Sequence, residues 1–134
     1  MKQPSQKDKA FLTDVREASH DAGLHLWWLG QSGFLMQWKG RHGLIDPYLS
    51  DSLTTKYAGT DQPHVRITER VVAPEHLDFI DVVSSSHNHT DHLDADTLIP
   101  LLEVNAEVTV IVPEANRAFA ADRLQVEPGR LTGL

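Results

Sequence analysis

The 134-residue chain contains no cysteine. That excludes a disulfide framework, a thiol nucleophile and any cysteine-ligated zinc. Long apolar runs are also missing, and no stretch approaches the roughly 18 residues that would cross a membrane. The first ten residues, MKQPSQKDKA, are polar and hold no apolar segment of the kind found in a secretory signal, so the expected location is the cytoplasm. Positive charge is scarce. Twelve Lys and Arg stand against 19 Asp and Glu, for a formal net charge of -7. Such a chain repels phosphate backbones, so nucleic acid is not an expected partner. What remains is ordinary: with 40% hydrophobic and 23% charged residues, the composition is that of one globular domain with a core of its own.

The local pattern divides the chain into a strand-rich first part and a strand–helix alternation. Residues 5–20 read as a helix, with Ser5 as its cap, Asp8 at the capping-box position and Phe11, Val15 and Ala18 as a narrow apolar stripe. LHLWWL at 24–29, FLMQW at 34–38 and GLID at 43–46 read as three strands of an antiparallel meander, punctuated by Gly30-Gln-Ser-Gly33 and Lys39-Gly40-Arg41. Residues 47–74 sustain no period and read as a long loop holding a short helix at 51–57. PEHLDFI suggests a single helical turn. A buried strand follows at 81–86, then a helix at 94–103 in which Pro100 predicts a late start or a kink. A strand at 108–112, a helix from Pro113 to Leu124 and a possible strand in QVEPGRLTGL complete the order.

The eight histidines are unevenly spread. His87, His89 and His92 fall within the six residues HNHTDH, together with Asp91, directly after the buried strand. Imidazole nitrogen and carboxylate oxygen suit zinc, manganese or iron. In extended chain His87 and His89 point to one side and can grip one ion. Asp91 and His92 follow where the loop turns toward a helix and can face a second ion. Two such ions roughly 3.5–4 Å apart can share a bridging hydroxide. The competing reading is a solvated histidine-rich loop, which suits a single histidine better than this set of four. His20, His25, His42, His64 and His76 are scattered and read as surface or packing residues.

Trp27, Trp28 and Trp38 read as packing residues rather than a stacking platform for substrate. The Gly30–Gly33 segment reads as a hairpin turn rather than a phosphate cradle. Ser32 lacks the strand–turn–helix setting of a nucleophile. Ser84, Ser85 and Ser86 read as small residues that allow tight packing. Tyr48 and Asp51 fit equally well as the mouth of a substrate site or as plain surface loop.

HNHTDH matches the H-x-H-x-D-H signature of the metallo-β-lactamase superfamily. With WWLGQSGFLMQW, LIDPYLSD and IDVVSSSHNHTDHLDADTL, the chain resembles the ascorbate-6-phosphate lactonase-like branch, and more distantly the phospholipases D that cleave N-acyl phosphatidylethanolamines. The resemblance spans about residues 24–134, leaving residues 1–23 as an N-terminal helical segment. It implies an α/β fold, the N-terminal half of a metallo-β-lactamase-like αββα sandwich with metals at one end of the sheets. It implies two divalent ions, zinc or manganese, with His87 and His89 on the first and Asp91 and His92 on the second. Asp91 would also orient the attacking hydroxide, and Asp46 would orient a ligand without binding metal itself. The implied activity is hydrolysis of a small-molecule lactone, ester or phosphoester by a metal-bound hydroxide. Family members are nearly twice this length and draw further ligands from their second half. The alternative is therefore a non-catalytic half-domain, completed by more polypeptide or by a second copy in a homo-oligomer. No membrane partner is expected.

Overall fold

The computed structural model describes all residues, Met1–Leu134. Six strands form one sheet in the order β1-β2-β3-β4-β5-β6. The first three, β1 (Leu24–Trp28), β2 (Phe34–Trp38) and β3 (Arg41–Ile45), pair antiparallel. The others, β4 (Val82–Ser84), β5 (Thr109–Val112) and β6 (Leu131–Gly133), add on in parallel. The meander is local. Lys39 and Gly40 both take positive φ, 49° and 74°, which is the backbone twist a two-residue hairpin loop requires. The parallel strands need crossovers. These run through α2 (Ser52–Tyr57) and the loop after it, through α3 (Ala95–Val104), and through α4 (Arg117–Leu124).

Alternation gives the sheet two unlike faces. Leu35, Leu44, Val83, Val110, Val112 and Leu131 share one face by register and are fully buried. They form a continuous core with Phe11 and Val15 of α1 (Lys9–Ala18), Leu98 and Leu101 of α3, and Ala120, Ala121 and Leu124 of α4. The other face carries Leu24, Leu26, Trp28, Phe34, Trp38 and Ile45, all exposed. The protein is thus one β-layer under one α-layer, and no helix is long and apolar enough to cross a membrane.

Several expectations change. The first helix starts at Lys9, and neither Ser5 nor Asp8 caps it through a side chain. Residues before it are drawn into backbone pairing instead: the Lys2 amide donates to the Ile67 carbonyl at 2.7 Å, and the Asp8 amide donates to the Val71 carbonyl at 2.8 Å. α3 begins at Ala95 and runs on through Pro100, so it does not start late. The last helix is divided, with a 3-10 turn at Glu114–Asn116 ahead of α4. Trp27 packs edge-on against Phe11 as expected, with its indole N–H donating to Asp14 at 2.7 Å. Trp28 and Trp38 do not pack, because β1 and β2 turn them to the uncovered face.

Candidate metal centre

The histidine loop begins where β4 ends, and Asp46 stands immediately beyond the end of β3, the neighbouring parallel strand. Strand pairing therefore brings together two segments 40 residues apart. Asp46 occupies the left-handed region at φ 46°, which asparagine and aspartate tolerate better than most residues. Gly33 makes that position reachable. With φ at 90°, a Cβ on Gly33 would lie 2.6 Å from the Asp46 carbonyl oxygen and 2.8 Å from the Pro47 Cα. Only glycine lets the β1–β2 hairpin approach so closely. On the same hairpin, the Ser32 hydroxyl donates to the Asp91 carbonyl at 3.0 Å.

Asp46 is the hub of the hydrogen bonds here. It accepts from the Ser86 amide and from the Ser86 hydroxyl, both at 2.6 Å, and its Oδ2 lies 2.9 Å from His92 Nδ1. Partial burial by itself would raise the Asp46 pKa. The bonds from the Ser86 hydroxyl, from His92 and from the Ser86 amide outweigh that and hold its carboxyl below the usual range. Asp46 is therefore ionised at neutral pH and can only accept. It follows that His92 carries a proton on Nδ1, which makes Nε2 the nitrogen available to a metal. The same reasoning reaches His87. The single hydroxyl proton of Ser86 goes to Asp46, so Ser86 Oγ must accept from His87 Nδ1, 3.0 Å away. His87 thus also has its Nδ1 engaged as a donor, which makes Nε2 the nitrogen available to a metal.

The rings lie close together. His87 and His92 centroids are 4.0 Å apart and His87 and His89 are 4.6 Å apart. Asp91 Oδ2 is 3.4 Å from His92 Nε2. The set fits a divalent ion by donor chemistry, by proximity and by the tautomers that Asp46 and Ser86 impose. No three of the histidine and acidic side chains stand around one point as a finished coordination sphere.

Other groups buttress the loop from further away in sequence. Arg123 of α4 donates to the Asn88 carbonyl at 2.6 Å and to the Leu93 carbonyl at 3.3 Å. Asp94 is fully buried and accepts from the hydroxyls of Ser50 at 2.6 Å, Ser52 at 2.8 Å and Thr97. It thereby ties the segment after Asp46 to the start of α3. Sequence reasoning passed over Ser86, Arg123 and Asp94. Only Asp94 left a signal, as an acid directly before a helix. Tyr48 does not line a mouth: it is fully buried, and its hydroxyl accepts from the Leu53 amide. Asp51 is exposed, 3.8 Å from the Arg66 guanidinium. The scattered histidines stay apart from the loop, with His25 stacked on Trp27 and His42 against Phe79. A cleft of about 400 Å³ beside Trp27 and Trp28 includes no residue of the histidine loop.

A family model described as the beta-lactamase superfamily domain matches residues 25–130. The chain is 31% identical over 94 residues to N-acyl-phosphatidylethanolamine-hydrolyzing phospholipase D 1 of Caenorhabditis elegans, covering 69% of this chain and 25% of that protein. It is 38% identical over 71 residues to the mitochondrial N-acyl-phosphatidylethanolamine-hydrolyzing phospholipase D of Saccharomyces cerevisiae, covering 53% and 14%. A solved structure described as the peroxy diiron species of the chemotaxis sensor ODP superposes with a TM-score of 0.51 at 21% identity, covering 85% of this chain and 42% of that one. The chain thus spans a quarter or less of the length of these two relatives.

Proposed function

The chain belongs to the beta-lactamase superfamily, and we propose that it carries the metal-binding half of a metal-dependent phosphodiester hydrolase. The observation that carries this reading is the pair of imidazoles, His87 and His92, that the Asp46–Ser86 hydrogen bonds hold by Nδ1, so that Nε2 is the nitrogen offered to a metal. In this reading His87 and His89 hold one divalent ion, zinc or manganese, and Asp91 and His92 hold the second. The ions would supply an activated water and stabilise charge developing on the substrate.

The chain's own residues do the positioning. Asp46 fixes the ring plane and tautomer of His92, and Ser86 does the same for His87. Asp91, beside His92 Nε2, orients the attacking water while it binds metal. Arg123 and Asp94 hold the two ends of the loop so that these donors keep their spacing. Two donors per ion fall short of the three or four protein ligands usual for zinc, so the working site takes further ligands from additional polypeptide.

The names of both phospholipase relatives favour a phosphodiester as substrate. The resemblance of WWLGQSGFLMQW and LIDPYLSD to lactonase-like proteins supports a lactone as the second reading. The test is zinc and manganese titration of the whole chain and of His89→Ala, followed by assay with bis(p-nitrophenyl) phosphate and with a γ-lactone. Metal binding by the parent and its loss in His89→Ala are expected, and any diester cleavage the parent shows, alone or completed by further polypeptide, should be lost with it. Cleavage unchanged in that variant refutes the assignment. A chain that binds metal and turns over neither substrate is a non-catalytic half-domain.

A further inference from the structure

Arg66 and Asp94 are buried charges, and neither has a hydrogen-bonded partner of opposite sign. Arg66 is 3% exposed and Asp94 is fully buried. Asp94 accepts only from neutral hydroxyls, those of Ser50, Ser52 and Thr97. Arg66 donates only to backbone carbonyls. Its Nη1 reaches Ser50 at 2.6 Å and Tyr48 at 3.4 Å, and its Nε reaches Thr68 at 3.0 Å. Its Nη2 has no partner at all. The one neighbouring carboxylate is Asp51, whose Oδ1 is 3.8 Å from Nε and beyond hydrogen-bond reach. That side chain is 70% exposed, so water screens it. Buried charges held by neutral groups alone are costly. Arg66 and Asp94 are enclosed by this chain's own atoms, so further polypeptide cannot supply either with a counter-charge.

The two charges share one residue. Ser50 is itself buried, its carbonyl accepts from Arg66, and its hydroxyl donates to Asp94 at 2.6 Å. Opposite charges therefore flank Ser50 in a setting that water screens little. We propose that Arg66 and Asp94 form one buried ion pair bridged by Ser50, and that Arg66 is through it a positioning residue for the histidine loop.

The bridge closes a ring behind the candidate metal centre. The chain runs from Asp46 to Ser50, the Ser50 hydroxyl bonds to Asp94, and Asp94 follows His92 by two residues. His92 Nδ1 returns to Asp46 at 2.9 Å. Arg66 grips this ring from the 47–81 crossover, at the Tyr48 and Ser50 carbonyls. Without the guanidinium, the 47–50 segment loses two bonds and Asp94 loses its counter-charge. Both losses slacken the contact between Asp46 and His92. A plain packing role for Arg66 has a different signature: its loss would act on stability alone, whatever the charge at position 94. The effect on metal affinity rests on the proposed metal site, whereas the bridge itself does not.

The test is a double-mutant cycle on the whole chain with Arg66→Gln, Asp94→Asn and both together, read by urea denaturation. Arg66→Gln should lower the folded-to-unfolded ratio about a hundredfold in the parent, and about tenfold less when position 94 is already Asn. In the metal-free, folded Arg66→Gln variant, the His92 imidazole nitrogen shifts should depart from the parent's. Effects that simply add overturn the bridge, and unchanged His92 shifts overturn the positioning role. Should Arg66→Gln not fold, the Arg66 Nε resonance decides: it should move in Asp94→Asn, and an unmoved resonance overturns the bridge. Zinc should bind folded Arg66→Gln about tenfold more weakly than the parent, and equal affinity overturns the positioning role. A parent that binds no zinc refutes the metal reading instead, and the cycle and the metal-free shifts still decide the bridge.

Discussion

Asp46 and His92 meet at 2.9 Å although 46 residues separate them in sequence. The contact orients one imidazole of the proposed metal site from a carboxylate at the end of another strand. Replacing Asp46 with Asn removes the charge and allows the amide to turn a donor toward Nδ1. We expect Asp46→Asn to weaken zinc binding about 10–100-fold, as losses of such orienting partners do. Competition against a chromophoric chelator measures it.

Ser86 relays the same effect to His87. Ser86→Ala leaves Asp46 one hydrogen bond poorer and His87 Nδ1 without its acceptor. The expected outcome is a mixture of His87 tautomers, read from the imidazole nitrogen shifts by NMR. Overall stability should change little, because Ser86 is exposed. Unchanged nitrogen shifts would refute the relay.

Asp94 is a different case. It is fully buried and three hydroxyls depend on it. Asp94→Ala strands those donors and should cost about 3 kcal/mol or more. Urea denaturation measures it. Asp94→Asn, which keeps an acceptor oxygen, should fall between the two.

Gln37 offers the opposite sign. It is fully buried on the helix-covered face of β2, and neither its amide nitrogen nor its oxygen has a hydrogen-bond partner. Gln37→Met keeps the volume and removes the unpaired dipoles. It should stabilise the protein by about 1–3 kcal/mol, seen as a higher urea midpoint at unchanged slope.

His42 supplies a pH dependence. Burial pushes its imidazole below the usual histidine range, and the opposing pull of the Asp81 carboxylate does not restore it. The unfolded chain therefore takes up a proton near pH 6.5, while the folded protein takes one up only at lower pH. Between those values the unfolded state binds more protons, so stability rises with pH through the window and falls as pH drops below 6.5. Urea midpoints of the parent and of His42→Leu across that range should diverge in this direction, with the shallower slope in the variant.

Local signals made much of this fold legible. FLMQW is a short apolar run between turn residues and forms β2 over the residues expected, and Lys39-Gly40 forms the tight hairpin that its composition favours. HNHTDH marks itself as a candidate metal site by composition alone. What stayed hidden depends on partners far away in sequence. The helix start moved from Ser5 to Lys9 because carbonyls at 67 and 71 take up amides near the N-terminus. Ser86 reads from sequence as a small packing residue because its partner, Asp46, is 40 residues away. Arg123 reaches Asn88 from 35 residues away. Trp28 and Trp38 were misread because sequence shows that a strand has two faces, but not which of them the helices cover.

The separation between Asp46 and Ser86 also bears on the order in which the protein folds. The β1–β3 meander closes through short turns and can form early, whereas the β3–β4 pairing must first close a long loop, at an entropic cost. The histidine loop gains its orienting carboxylate only after that closure. The proposed metal centre is therefore a late product of folding, and mutations that destabilise the 47–81 crossover should slow its assembly while leaving the early meander unaffected.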